Sequence, residues 1–357
     1  MFKFLHISVL LLGAVFISVA RAESVLFLNP GSTGETFWVS YSQFMQAAAR
    51  DLGMDLRILY SQRQPELTLA QARLALQGPD RPDYLVFVNE QYVAPQIFRL
   101  AHDSGVKLFM VNATLTASQQ ALMGERPDLV GSLVTNDEEG GYLMMKELIR
   151  QHRPTAIDQP VEVLAFSGLK VTPSAQLREQ GMQRALAEHP QVRLRQLVYS
   201  GWTQQRAYEQ AKQLFRRYPE VSLVWSANDE MAFGAMRAYA ETGKTPGKDA
   251  LFSAVNTSPA ALQAVVDGRL SALIGGHFTL GGWALVEVHD HAQGVDLARY
   301  GGRDRQIPLL QLIDKAHARQ MLAWGASPDY GVNFRKLSAK GRPASYRYPF
   351  NLQILMH

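Results

Sequence analysis

The chain has 357 residues, 47% of them hydrophobic and 19% charged, with a formal net charge of +4 and no cysteine. That length is enough for two domain-sized cores. The missing cysteines exclude a disulfide framework and a lipidated amino-terminal cysteine, and so small a charge gives no argument for nucleic acid or a membrane surface as partner.

In chain order, residues 1–6 carry Lys3, residues 7–19 are apolar, and Ala20-Arg21-Ala22 closes in small-x-small form. This is the layout of a secretory signal peptide cleaved after Ala22. Its apolar core falls short of the roughly 20 residues that a membrane anchor needs. The mature chain is expected in the periplasm, where loss of Lys3 and Arg21 lowers the net charge from +4 to +2.

From there, short and nearly continuous apolar runs recur at 24–29, 83–88, 107–112, 161–166, 222–227 and 251–256. Such runs suit strands buried on both faces. Helical segments alternate with them; that at 203–218 sets Ala207, Ala211, Leu214, Phe215 and Tyr218 on one side. The alternation predicts an α/β architecture of doubly wound sheets, with ligands bound beyond the carboxyl ends of the strands. Residues 30–36 contain Gly31 and Gly34, which serve either as ordinary turn glycines or to aim amides at a ligand oxygen or anion. The Lys-Ser/Thr ending of a phosphate-binding loop is missing. The stretches 81–112 and 218–256 repeat one pattern, strand, helix, hydroxyl residue with glycine, and strand ending in asparagine. They predict two domains of like topology joined by chain crossings, since no Gly/Ser- or Pro-rich linker separates them.

Two later features stand apart from the repeat. His289, Asp290 and His291 are adjacent, and neighbours on a helix point in different directions, so they read as a solvated patch and not a metal site. Beyond residue 326 the cations Arg335, Lys336, Lys340, Arg342 and Arg347 are interleaved with Tyr330, Phe334, Tyr346, Tyr348 and Phe350. This basic, aromatic tail is either a strap packed on the body or a docking arm. Because there is no nucleophile elbow, HExxH or cysteine nucleophile, neither an enzyme nor a cofactor or metal is expected.

The segment Ala227-Asn-Asp-Glu-Met-Ala-Phe-Gly-Ala235, with Leu177-Arg178-Glu-Gln-Gly181, Val255-Asn256 and Val266-Asp-Gly268-Arg-Leu270, resembles the periplasmic sugar-binding proteins of the ribose-binding type. The resemblance extends over roughly residues 24–322. Asn29-Pro-Gly31, Phe37-Trp38-Val39, Asp83-Tyr-Leu-Val-Phe87 and Lys107-Leu-Phe-Met-Val-Asn-Ala-Thr114 are, within that family, most similar to the periplasmic autoinducer-2 receptor.

The resemblance implies the type I periplasmic binding protein fold, two Rossmann-like domains on a multi-strand hinge. Residues 23–135 and 277–305 would form one lobe, 136–276 and 306–325 the other, with a tail at 326–357. It places Phe37 and Trp38 against the apolar face of a sugar ring and gives Arg178 the role of ligand clamp, since a guanidinium fork donates two hydrogen bonds and keeps its charge when desolvated. Trp202 falls at either core or site. Asn228 joins ligand binding to an N-cap role. Asn112 and Asn256 stand where relatives carry carboxylates, exchanging acceptors for amides that also donate, which shifts the expectation towards an anionic or acceptor-rich ligand. His277 either supplies a further donor or is satisfied by backbone at the hinge. The implied function is that of a monomeric receptor closing on a small polar, sugar-like ligand and presenting it to an inner-membrane ABC permease. The alternative partner is a membrane sensor kinase or cyclic-nucleotide enzyme.

Overall fold

The computed structural model describes residues 22–153, 161–324 and 329–355; the expected leader at 1–21 lies outside the described residues. The first half runs β1 (Ser24–Asn29), α1 (Thr36–Leu52), β2 (Asp55–Tyr60), α2 (Pro65–Gln77), β3 (Tyr84–Phe87), α3 (Ala94–Ala101), β4 (Lys107–Asn112), α4 (Ala117–Met123) and β5 (Leu129–Thr135). The second half repeats the cadence in α5 (Asp137–Gln151), β6 (Val161–Ser167), α6 (Pro173–Ala187), β7 (Val192–Tyr199), α7 (Gln204–Arg217), β8 (Leu223–Ser226), α8 (Asp229–Ala240), β9 (Leu251–Val255), α9 (Pro259–Asp267) and β10 (Ala272–Gly275). The chain then returns through α10 (Leu280–Ala292), β11 (Asp304–Ile307), β12 (Gln311–Leu312) and α11 (Lys315–Trp324).

Two six-stranded sheets result, ordered β2-β1-β3-β4-β5-β11 and β7-β6-β8-β9-β10-β12. Every pairing is parallel except that of β10 with β12. Each sheet thus follows the flavodoxin-like order 2-1-3-4-5, whose switch point lies between its first and third strands. Burial explains why these strands read so clearly in sequence. In β1 the side chains of Val25 and Phe27 join the core beside α1, while Leu26 and Leu28 join a separate core with residues of α2 and α3. The helix expected from the periodicity at 203–218 is α7, which buries Ala207, Ala211, Leu214 and Phe215.

The chain passes between the sheets three times: from β5 into α5, from β10 through residues 277–279 into α10, and from β11 into β12. The third crossing follows Ile307, just past the expected boundary at 305/306, because all four residues of β11 pair with β5. After the crossings, residues 329–355 pack on the first domain. Phe334 lies edge-on to Phe44 of α1, Phe350 stacks on Trp283 of α10 at 5.4 Å, and Asp51 accepts from the Phe334 amide at 2.7 Å. Tyr348, Phe350 and Leu352 are buried.

The expected solvated patch is corrected here. Asp290 is fully buried and accepts from the Ala339 amide and the Tyr348 hydroxyl, each at 2.6 Å, and from the Ser338 hydroxyl. His291 Nδ1 instead meets the Tyr84 hydroxyl at 2.8 Å, and His289 faces Glu23. One turn of α10 thus points three side chains at three different neighbours, and the middle one anchors the tail.

Candidate functional site

The carboxyl ends of the strands from both sheets face a cavity of about 260 Å³. All eight residues singled out from the sequence line it: Phe37, Trp38, Asn112, Arg178, Trp202, Asn228, Asn256 and His277. Phe37 and Trp38 occupy the first turn of α1. Phe37 stacks on His277 at 4.5 Å and meets Trp38 edge-on at 4.9 Å. Gly31 explains the loop ahead of them. A Cβ there would come within 2.1 Å of the Trp38 ring, and the Gly31 amide is already held by Asn29 Oδ1 at 2.9 Å. The loop therefore seats the indole and does not offer the Gly31 amide to a ligand, although Gly34, Glu35 and Thr36 reach the cavity wall.

Strand ends supply the amides. Asn112 and Asn256 end their runs with φ of 63° and 102°, and Trp202 has φ 68°. This left-handed region is tolerated by asparagine and unusual for a bulky side chain. Asn256 donates to Asp229 at 2.7 Å. Asn228 caps α8 by accepting from the Met231 amide at 2.9 Å and donates to the Trp202 carbonyl at 3.0 Å. Burial raises the pKa of the Asp229 carboxyl, against the opposing hydrogen bonds from Ser258 and Asn256.

Arg178 departs from its expected pose. Its Nε donates to Asp137 Oδ1 at 2.7 Å, its Nη1 donates to the Ala227 carbonyl at 2.7 Å, and Nη2 lies 3.5 Å from His277 Nε2. The fork is turned largely to protein, joining the start of α5 to the end of β8. Burial, and then the neighbouring Arg178 charge, hold the His277 pKa well below the ordinary imidazole value. The Asn112 oxygen, His277 Nδ1 and both indole nitrogens, of Trp38 and Trp202, are buried without a partner among the described residues.

Six charged lining residues fall outside those eight: Glu35, Arg63, Glu90, Asp137, Asp229 and Glu230. Arg63, after β2, donates to Glu35 at 2.9 Å and to Glu90 at 2.9 Å, and its guanidinium lies 5.6 Å from the Trp202 ring centre on the other domain. Burial raises the pKa of the Glu90 carboxyl, against the Arg63 charge that lowers it. Asp137 opens α5 behind the N-cap Asn136, and the Asn-Asp-Glu-Glu run at 136–139 is a helix-start signal that marks it in sequence. Glu35 and Arg63 sit on loops and Glu90 opens a three-residue 3-10 helix, where no periodicity points to them. With Asp229 and Glu230 the wall holds five carboxyl groups against two guanidinium groups, each of the latter already paired with acid. An unpaired cation to receive an anion is absent among these groups. Carboxyls from other elements thus stand at the wall whose positions 112 and 256 carry amides.

The two walls touch. The Tyr92 hydroxyl donates to Gln176 Oε1 at 2.8 Å across the cleft, and Thr36 reaches Glu230 at 3.5 Å.

Residues 25–294 match the model of the periplasmic binding protein domain family. A structure described as a periplasmic sugar-binding protein from Pseudomonas fluorescens is 61% identical, with a TM-score of 0.88 over 94% of this chain and 100% of that one. The ribose import binding protein of Escherichia coli is 24% identical over 269 residues, 75% of this chain and 84% of its own. A galactofuranose-binding protein of the same species is 20% identical over 72% of this chain and 78% of its own. With three quarters of its length matched by one family model and a relative of such identity covering nearly all of it, the chain belongs to the periplasmic binding protein family.

Proposed function

We propose that this chain is the exported receptor of an ABC importer and that it closes on one small, uncharged, sugar-like ligand. The single observation that carries the reading is the cavity between the two sheets, with aromatic faces on its walls and amide, imidazole and carboxyl groups around them. Aromatic faces cover the C–H face of a sugar ring, and carboxyls and amides take its hydroxyls, which both donate and accept. Its relatives are named as importer components for ribose and as binders of galactofuranose, which supports the importer reading over the sensor. Phe37, Trp38 and Trp202 would hold the ring. Asn112, Asp137, Asn228, Asp229, Asn256 and His277 would meet its hydroxyls, with Arg178 holding Asp137 in place. Export would remove the leader after Ala22.

Mass spectrometry of what co-purifies with the periplasmic protein, followed by calorimetric titration of the recovered compound, tests the reading. A neutral sugar or polyol bound with 1:1 stoichiometry is the expected result. A carboxylate or phosphate bound tightly in its place would overturn it.

A further inference from the structure

We infer that the ligand site has a second chamber, which takes an uncharged, hydroxyl-bearing substituent attached to the ring in the first, as in a glycoside or a neutral disaccharide. The inference rests on the reading of the first cavity as a sugar site. A second cavity, of about 270 Å³, shares Asn112, Ala113 and Ser174 with the first. The two chambers thus adjoin at these three residues and are nearly equal in volume.

Their chemistry differs. The first holds five carboxyl groups and two guanidinium groups, whereas no described residue lining the second is charged. Ser174 and Gln180 approach it from α6, and Gln306 from β11 on the other sheet. The side chains of Ser174, Gln180 and Gln306 make no hydrogen bond to the described protein, whereas Gln176 beside them is held by the Tyr92 hydroxyl at 2.8 Å and donates to the Lys170 carbonyl at 2.9 Å. Amides and hydroxyls with no partner among the described residues, drawn from both walls, match hydroxyls that both donate and accept, and they offer an anion or cation no counter-charge. Between the chambers stands Ala113, the smallest of the three shared side chains, beside the unpartnered Asn112 oxygen. A glycosidic linkage would cross there. At the open side, Gln180 and Gln306 are exposed and Leu177 is 37% exposed, so a longer substituent would extend into solvent.

The test is calorimetric titration with neutral disaccharides that contain ribose, arabinose or galactose in either ring form, and with the parent monosaccharides. The variants are Leu177→Trp, which fills the second chamber from an exposed helix face, and the double variant Gln180→Leu, Gln306→Leu. At least one extended ligand should bind about tenfold or more tighter than its monosaccharide, about 1.4 kcal/mol. Both variants should abolish that gain and leave monosaccharide affinity unchanged. Monosaccharide binding with no gain from any extension, or a gain that persists in Leu177→Trp, would overturn the second chamber and spare the first. Failure of every neutral sugar to bind would overturn both.

Discussion

His277 stacks on Phe37, faces Arg178 and is buried at the point where the chain leaves the second sheet for the first. Because its folded pKa lies well below the ordinary value, the folded state refuses a proton that the unfolded chain accepts. The sign follows from linkage: stability is unaffected by this group above about pH 6.5 and falls as the pH drops below it, by at most about 1.4 kcal/mol per pH unit. Thermal melts of wild type and His277→Gln between pH 7.5 and 5 should diverge, the variant losing less on acidification. Parallel curves would mean that His277 protonates in place. His152 and His291, whose pKa values burial also lowers, contribute equally to both proteins and cancel in the difference. Arg178 makes the complementary case. Truncation to alanine would strand Asp137, which is buried, and breaking a buried pair costs about 3–5 kcal/mol. Arg178→Ala should therefore melt markedly lower by calorimetry as well as bind less ligand, whereas Arg178→Lys, which keeps the charge, should lose less stability. An unchanged melting temperature in the alanine variant would count against the Asp137 pairing.

At the scale of elements, α5 and α6 approach closely enough that a Cβ on Gly181 would come within 1.8 Å of the Glu138 carbonyl oxygen. Backbone stands in the way, so no rotamer change relieves the clash. Gly181→Ala should separate the helices that carry Asp137 and Arg178, at a cost of about 1–3 kcal/mol or more, with weaker ligand binding by titration. A variant with wild-type melting temperature and affinity would show that the helix contact is softer than its geometry. The same glycine stood in one of the motifs that gave the family away, and other elements were legible for equally physical reasons. The run at 24–29 coincides with β1 and that at 107–112 with β4 because strands covered on both faces need apolar residues at every position. β2 alternates exposed and half-buried residues at the sheet edge, β5 is interrupted by Gly131-Ser132, and β11 reads Asp-Arg-Gln-Ile. None of these presents an unbroken apolar run. The site divided in the same way. Residues carried by recognisable motifs were found, whereas Arg63, Glu35 and Glu90 acquire meaning only from meeting one another in space.

For the molecule as a whole, contacts from Tyr92 to Gln176 and from Arg63 to Trp202 join the walls, as in a closed cleft. A ligand that binds the closed form better shifts the population towards it, so saturating ligand should lower the radius of gyration by small-angle scattering without changing the far-ultraviolet dichroism. A constant radius would argue for a rigid site. The tail belongs to this scale as well, since Leu352 reaches Gly276 at the second crossing. Asp290→Ala would leave the Ser338, Ala339 and Tyr348 donors without their acceptor, and unmade buried hydrogen bonds cost about 1–3 kcal/mol each. A lower melting temperature is expected. Unaltered stability together with lost partner coupling would return the tail to the role of docking arm.

The return of the chain has a consequence in time. β6 to β10 are contiguous in sequence, so five strands of the second sheet are available once residue 275 has emerged from synthesis or export. The first sheet starts earlier yet stays open past that point: its edge strand β11 and its covering helix α10 come from residues 280–307. Until they arrive, the apolar residues of α1 that pack on α10, Phe44 and Met45 among them, have no cover. The half begun first is closed by a segment made only after five strands of the other, and for that interval it depends on whatever shields exposed apolar surface in the cell.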